Sequence, residues 1–255
     1  MFGVYIHIPY CKTLCPYCDF VKERTGAAVP RAFVDAVCSE IRAYGHMGEV
    51  SSIFFGGGTP SLLESYGLAA VLDSLRQKFS VRDSAEITIE ANPDDVTEAL
   101  VANWCALGVN RVSLGVQSFD DAVLRYLGRR HDARAFSNWS MDFIFGPGSM
   151  ESWTATLRRC VELNPPHVSA YGLTYEAGTP FGARAGEAVS DDASLALYKR
   201  AAAALGGYIH YEISNFARPG HEARHNLIYW HNEDYAGCGP GAYSHVNGVR
   251  ARNVA

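Results

Sequence analysis

The amino-acid sequence predicts an α/β protein built on a partial (β/α)6 parallel barrel with a C-terminal extension. Two observations predict it. Six strand-like apolar runs alternate with six segments of helical periodicity along the 255 residues, and that alternation builds a parallel sheet with right-handed crossovers. Six units also fall short of the eight in a closed barrel, so an open barrel is expected. A doubly wound sheet is the alternative, because strand order cannot be read from one sequence.

The first strand is Val4-Tyr5-Ile6-His7-Ile8, and a cysteine-rich loop follows it directly. Phe33, Val37, Ile41 and Tyr44 then recur at about four-residue spacing, the mark of a helix face. Ser52-Ile53-Phe54-Phe55 is the second strand and ends in Gly56-Gly57-Gly58-Thr59-Pro60. Leu68, Val71, Leu72, Leu75 and Phe79 give the clearest amphipathic helix. Glu86 to Glu90 is the third strand, closed by Asn92-Pro93, and Leu100, Val101, Trp104 and Leu107 form a helix that Gly108 is placed to stop.

Arg111 to Gln117 is the fourth strand, with a short helix around Val123, Leu124 and Leu127 behind it. The fifth is Met141 to Phe145; its helix carries Trp153, Leu157, Cys160 and Val161 and meets Pro165-Pro166, which terminate it. The sixth strand is His167 to Leu173, and an alanine-rich helix runs from about Ala193 to Leu205. One domain is expected over residues 1–207, with residues 208–255 as an extension that starts a further, truncated domain.

Composition narrows the function classes. A net charge of -5 argues against a nucleic-acid partner, since such domains carry a basic face. No apolar run is long enough to cross a bilayer, and because residues 1–10 lead straight into the cysteine loop no signal peptide is expected. Seven cysteines, an odd number with three clustered, do not form a disulfide framework, so a reducing cytoplasm is expected. Cys38, Cys105 and Cys160 fall in helical apolar patterns and are expected to be buried; Cys238 lies in the turn-like Gly237-Cys238-Gly239-Pro240-Gly241.

The chemistry centres on Cys11-Lys12-Thr13-Leu14-Cys15-Pro16-Tyr17-Cys18. Soft thiolates select zinc or iron–sulfur clusters. A structural zinc knot would complete its shell with His7, Asp19 or a distant group. A four-iron cluster takes four protein thiolates, so three leave one iron open for a small ligand. Catalytic residues in parallel barrels gather at the C-terminal strand ends. The cysteine loop, the glycine run, Glu90, Gln117 and Asp142 all fall near such ends and are expected to ring one cavity. An ion pair would be the ordinary explanation of Glu90 or Asp142 alone, and a flexible turn that of the glycines.

Cys-x3-Cys-x2-Cys behind a strand, with an aromatic before the third cysteine, resembles the cluster loop of radical S-adenosylmethionine (SAM) enzymes. In that family the open iron binds SAM, and an electron from a [4Fe-4S] cluster cleaves it to a 5′-deoxyadenosyl radical. Tyr5 to Cys11, Gly56 to Pro60, Glu90-Ala91-Asn92-Pro93, Gly115-Val116-Gln117-Ser118 and Leu127 to His131 further resemble the oxygen-independent coproporphyrinogen III oxidase family. The resemblance implies that Cys11, Cys15 and Cys18 hold the cluster and that Tyr5, Gly57 and Glu90 contact SAM. It also implies that Tyr17, Gly58, Thr59, Gln117, Arg129 and Asp142 occupy positions that hold a second SAM in the oxidase.

Two departures separate the chain from the oxidase. Phe20 stands where the oxidase has a fourth cysteine, and the oxidase's long N-terminal extension is expected to be lacking. Both match the branch of HemW-type heme chaperones, as does His225-Asn226-Leu227-Ile228-Tyr229-Trp230, which is similar to that branch's heme motif. The resemblance implies heme, a heme-accepting protein, and an electron donor if SAM is cleaved. An imidazole can ligate heme iron and aromatics can cover the macrocycle, so His225 is the expected ligand, with His210, His221, His231 and His245 as alternatives. A hydrogen-bonded packing role for His225 is the competing reading. Radical decarboxylation of coproporphyrinogen and radical methylation are the enzymatic alternatives. The chain is also shorter than the family between His131 and Phe136 and lacks a leucine at Gly146-Pro147; missing residues are expected there and beyond Ala255.

Overall fold

A computed structural model describes every residue except 27, 46, 128–137 and 255. The strands are β1 (Phe2–Ile8), β2 (Tyr10–Cys11), β3 (Glu23–Arg24), β4 (Val50–Gly57), β5 (Val81–Ala91), β6 (Arg111–Gln117), β7 (Trp139–Phe145), β8 (His167–Gly172), β9 (Ile209–His210), β10 (Asn215–Ala217), β11 (Asp234–Cys238), β12 (Tyr243–Val246) and β13 (Val249–Arg252). The helices are α1 (Arg31–Ala43), α2 (Ser65–Lys78), α3 (Glu98–Leu107), α4 (Asp121–Leu127), α5 (Met150–Leu163), α6 (Asp191–Ala204) and α7 (Arg224–Trp230).

The main sheet runs β13-β12-β11-β1-β4-β5-β6-β7-β8-β10-β9. From β1 to β8 its parallel strands lie in chain order, which is the open (β/α)6 arrangement and excludes a doubly wound sheet. The extension supplies more than expected. β11 pairs parallel with β1, from Phe2↔Asp234 to Ile6↔Cys238, as a seventh parallel strand. β10 and β9 extend the other edge antiparallel to β8.

Helix faces follow the apolar spacing. Val34, Val37, Cys38 and Ile41 of α1, and Leu68, Val71, Leu72 and Leu75 of α2, are buried in the core against the outward side of the sheet. Thr97 caps α3 by accepting from Leu100 N at 3.2 Å, and Gly108 ends it with φ 96°. α5 stops one residue before the proline pair, at Asn164 in left-handed conformation (φ 49°), so the cap rather than Pro165 terminates it. Two cysteine expectations are corrected. Cys105 is exposed on α3, and Cys238 is a buried strand residue that precedes the turn.

Candidate functional site

Side chains two apart on a strand share a face. Here the inner face is polar where a closed barrel packs branched apolar side chains. Arg111, Ser113, Gly115 and Gln117 of β6, Asp142 and Ile144 of β7, and His167, Ser169 and Tyr171 of β8 all line a cavity of about 1160 Å³, together with Phe54 of β4 and Glu90 of β5. Cys11, Cys15 and Cys18 form part of its mouth.

The cysteine loop is tied down at both ends. β2 and β3 pair parallel, Glu23 N donates to Pro9 O at 2.7 Å and Thr25 N to Cys11 O at 2.8 Å. Lys22 Nζ donates to Cys18 O, and Cys18 N to Cys15 O at 3.3 Å. The end of β4 approaches so closely that a Cβ on Gly58 would lie 2.9 Å from Cys11 Sγ and 2.8 Å from the Pro9 carbonyl. Gly57 has φ 109°, and a Cβ there would meet the His7 ring at 2.6 Å. The glycine run is therefore a contact surface for the loop as well as a turn.

Cys11 is buried, and Cys15 and Cys18 are half-buried; burial pushes the Cys18 thiol up. Among the described residues no group of three His, Cys, Asp or Glu side chains is gathered around one point as a metal site. The chemistry of the donor set fits a cluster with an open iron better than closed zinc. His7, the nearby imidazole, is buried with Nε2 against Val21 O at 2.8 Å and Nδ1 against Tyr5 Oη at 3.1 Å.

The residues expected around SAM converge on this cavity, with two exceptions. Glu90 accepts from Gly57 N at 3.2 Å, and Tyr17, Gly58, Thr59 and Gln117 line the cavity with it. Gln117 has φ 66°, a strained value for a non-glycine residue, at a register shift between β6 and β7. Asp142 sits mid-strand on β7 and accepts from the hydroxyls of Ser113 (2.7 Å), Ser140 (2.9 Å) and Ser169 (2.6 Å). Tyr5 is the first exception. It is not among the residues that line the cavity; its ring stacks on Phe54 at 6.1 Å, and burial, then the Glu90 charge, raise its pKa. Arg129 lies outside the described residues.

Comparison with known proteins decides the lineage. The Radical SAM superfamily model matches residues 5–169. The heme chaperone HemW of Escherichia coli K12 is 38% identical over 96% of this chain and 70% of its own length. The HemW of Synechocystis is 38% identical over 97% of this chain and 67% of its own. The chain belongs to the HemW family of radical SAM proteins. A solved structure described as coproporphyrinogen III oxidase HemN of Escherichia coli, a radical SAM enzyme, superposes with TM-score 0.84 at 27% identity, covering 99% of this chain and 66% of that one. The chain thus spans about two thirds of that structure's length. The cofactors of the radical SAM family are a [4Fe-4S] cluster and SAM.

The HemW-like His-Asn-x-x-Tyr-Trp segment lies in α7, which packs against β1, β4 and β11, is hydrogen-bonded to β5, and closes part of the cavity with Asn226. Glu86 on β5 accepts from Arg224 N (3.2 Å) and His225 N (3.4 Å), so a carboxylate caps the helix N-terminus. His225 is 1% exposed. Its Nδ1 meets Ser52 Oγ at 2.9 Å, its Nε2 meets Tyr229 Oη at 2.8 Å, and its ring stacks on Phe54 at 5.2 Å. Burial pushes its pKa down to about 3. In this arrangement both ring nitrogens of His225 are engaged, one by Ser52 and the other by Tyr229. Trp230 and the His231 side chain are exposed at the helix end.

The sequence reading missed Arg111, Ser113, Ser140, His167 and Ser169. Their signal was present as polar residues at alternate positions within otherwise apolar strands, the period of one sheet face.

Proposed function

We propose that this chain is a heme carrier of the HemW kind. What carries the reading is its match, over 96% of its length, to a protein named as a heme chaperone. The exposed Phe20 beside the cysteine loop supports it, since the oxidase resemblance would require a cysteine there. In this reading Cys11, Cys15 and Cys18 hold a [4Fe-4S] cluster whose open iron takes SAM. When bound, the cluster supplies an electron to SAM. The Gly57–Glu90 pair sets the rim of the SAM pocket, with Glu90 as the carboxylate for its amino group. Gly58 lets Cys11 approach β4, and Thr59, Tyr17, Gln117 and Asp142 border the space for a second SAM, a ligand to which the family resemblance also assigns Arg129.

Residues 1–207 serve as the cofactor-binding body and residues 208–255 as the heme-handling extension, acting in the cytoplasm with a heme-accepting protein and an electron donor. Among the described residues no helix is long and apolar enough to cross a membrane. For His225 to ligate heme, α7 has to leave the barrel; His231, beside exposed Trp230, needs no such opening.

The test is an anaerobic heme titration of the cluster-reconstituted protein and its His225→Ala and His231→Ala variants, following the heme absorption band. Saturable binding near one heme per chain is expected. Binding that weakens in His225→Ala alone selects an opened α7, and weakening in His231→Ala alone selects the helix end. The likeness to HemN favours a second reading, radical chemistry on a porphyrinogen. SAM-dependent porphyrinogen turnover without specific heme binding would replace the carrier reading.

A further inference from the structure

Arg111 opens β6 at the deep end of the cavity, about 20 Å along the strand from Gln117 at the mouth. It is 2% exposed, and its Nε and Nη2 are buried with no hydrogen-bond partner. Among the described residues no carboxylate pairs with it. A guanidinium is always charged, and leaving its donors unpaired in a buried position is costly.

Two nearby anions are committed elsewhere, and a third, Glu212, whose charge acts on Tyr211 as that of Arg111 does, accepts from Ser214 N through Oε2 and keeps Oε1 buried and unpaired without forming an ion pair with Arg111. Asp142 receives three seryl hydroxyls, and Glu86 caps α7. His167 cannot compensate. Its Nδ1 bonds Ser140 Oγ at 2.7 Å and its Nε2 bonds Tyr211 Oη at 2.8 Å, while burial and the Arg111 charge keep it neutral. The result is an uncompensated guanidinium in the cavity wall whose Nε and Nη2 lie unpaired just beneath the cavity surface.

We propose that the deep end of the barrel is a carboxylate-binding subsite in which Arg111 receives the monoanionic carboxylate of a ligand entering from the cysteine mouth. The guanidinium fork matches a carboxylate with two parallel hydrogen bonds. A phosphate dianion suits it less well, because Asp142 faces the same cavity and Lys12 and Lys22 belong to the loop at the mouth. A whole macrocycle does not suit the hydroxyl-lined interior, so only a small acid or a slender carboxylate arm reaches Arg111. The subsite stands independently of the carrier reading, since its argument uses no property of heme.

The probe is trifluoroacetate, followed by 19F NMR on the cluster-reconstituted full chain. Saturable line broadening or shift is expected in the wild type. It should weaken at least tenfold in Arg111→Gln and in part in Arg111→Lys, with both variants checked for fold by circular dichroism. Competition identifies the natural source of the carboxylate. Displacement by SAM points to its amino-acid arm and displacement by heme to a propionate; displacement by neither points to a separate small acid. No saturable effect in the wild type, or an unchanged effect in a folded Arg111→Gln, overturns the proposal. The wild-type result alone is decisive if the variants fail to fold.

Discussion

Glu86 and Glu90 stand on the same face of β5, two pleats apart, and do opposite work. Glu90 lies at the cavity mouth, where its carboxylate holds Gly57 N beside the cysteine loop. Glu86 lies at the opposite end, where its carboxylate closes α7 against the barrel. The mouth keeps half-buried cysteines open to the cavity, whereas the plug spends its polar atoms on hydrogen bonds within the protein. The same residue type is a ligand candidate at one end and a structural cap at the other. Strand position, rather than residue identity, separates the two.

The comparison breaks most visibly at the cysteines. Cys15→Ala should abolish the iron–sulfur absorbance and the bound iron after reconstitution while leaving urea unfolding of the cluster-free protein nearly unchanged, because Cys15 is only half-buried. At the plug the pattern reverses. Glu86→Ala strands the buried N–H of His225 and the partly buried N–H of Arg224 and should cost about 2 kcal/mol in urea unfolding, with cluster iron retained. His225→Phe, which leaves Ser52 and Tyr229 without their partner, should cost about 2 kcal/mol.

Acid sharpens the same contrast. The His225 pKa falls from an ordinary 6.5 to about 3 on folding, so between those values the unfolded chain binds a proton that the folded chain refuses. Stability should therefore be flat above pH 6.5 and fall as pH drops toward 3, by up to about 1.4 kcal/mol per pH unit from this group. A pH series of urea unfolding should show a shallower fall in His225→Phe. The smallest effect is expected away from both ends. Thr97→Ala removes the α3 cap and should cost about 1 kcal/mol with no change in cofactor binding.

Much of this contrast was legible in the sequence, but unevenly. The six strands, their order of helices and the cysteine loop follow from local periodicity and spacing, which survive in a linear chain. Glu90, Gln117 and the glycine run could be grouped because each closes a strand. Asp142 was misplaced to a strand end although it is the fourth residue of β7, and its serine partners come from three different strands. The seventh parallel strand was hidden by the glycines around Cys238, which read as a turn until β1 pairs with it. His225 illustrates the harder limit. Its motif states residue types, while its engagement with Ser52, 173 positions away, depends on how α7 meets β4.

The most direct test of the division between mouth and plug is SAM affinity and urea stability measured side by side on cluster-reconstituted wild type, Glu90→Gln and Glu86→Gln. The account predicts that Glu90→Gln weakens SAM binding at least tenfold with little loss of stability, and that Glu86→Gln lowers stability while SAM affinity stays near wild type. Equal loss of SAM affinity in both, with both still folded, would contradict it.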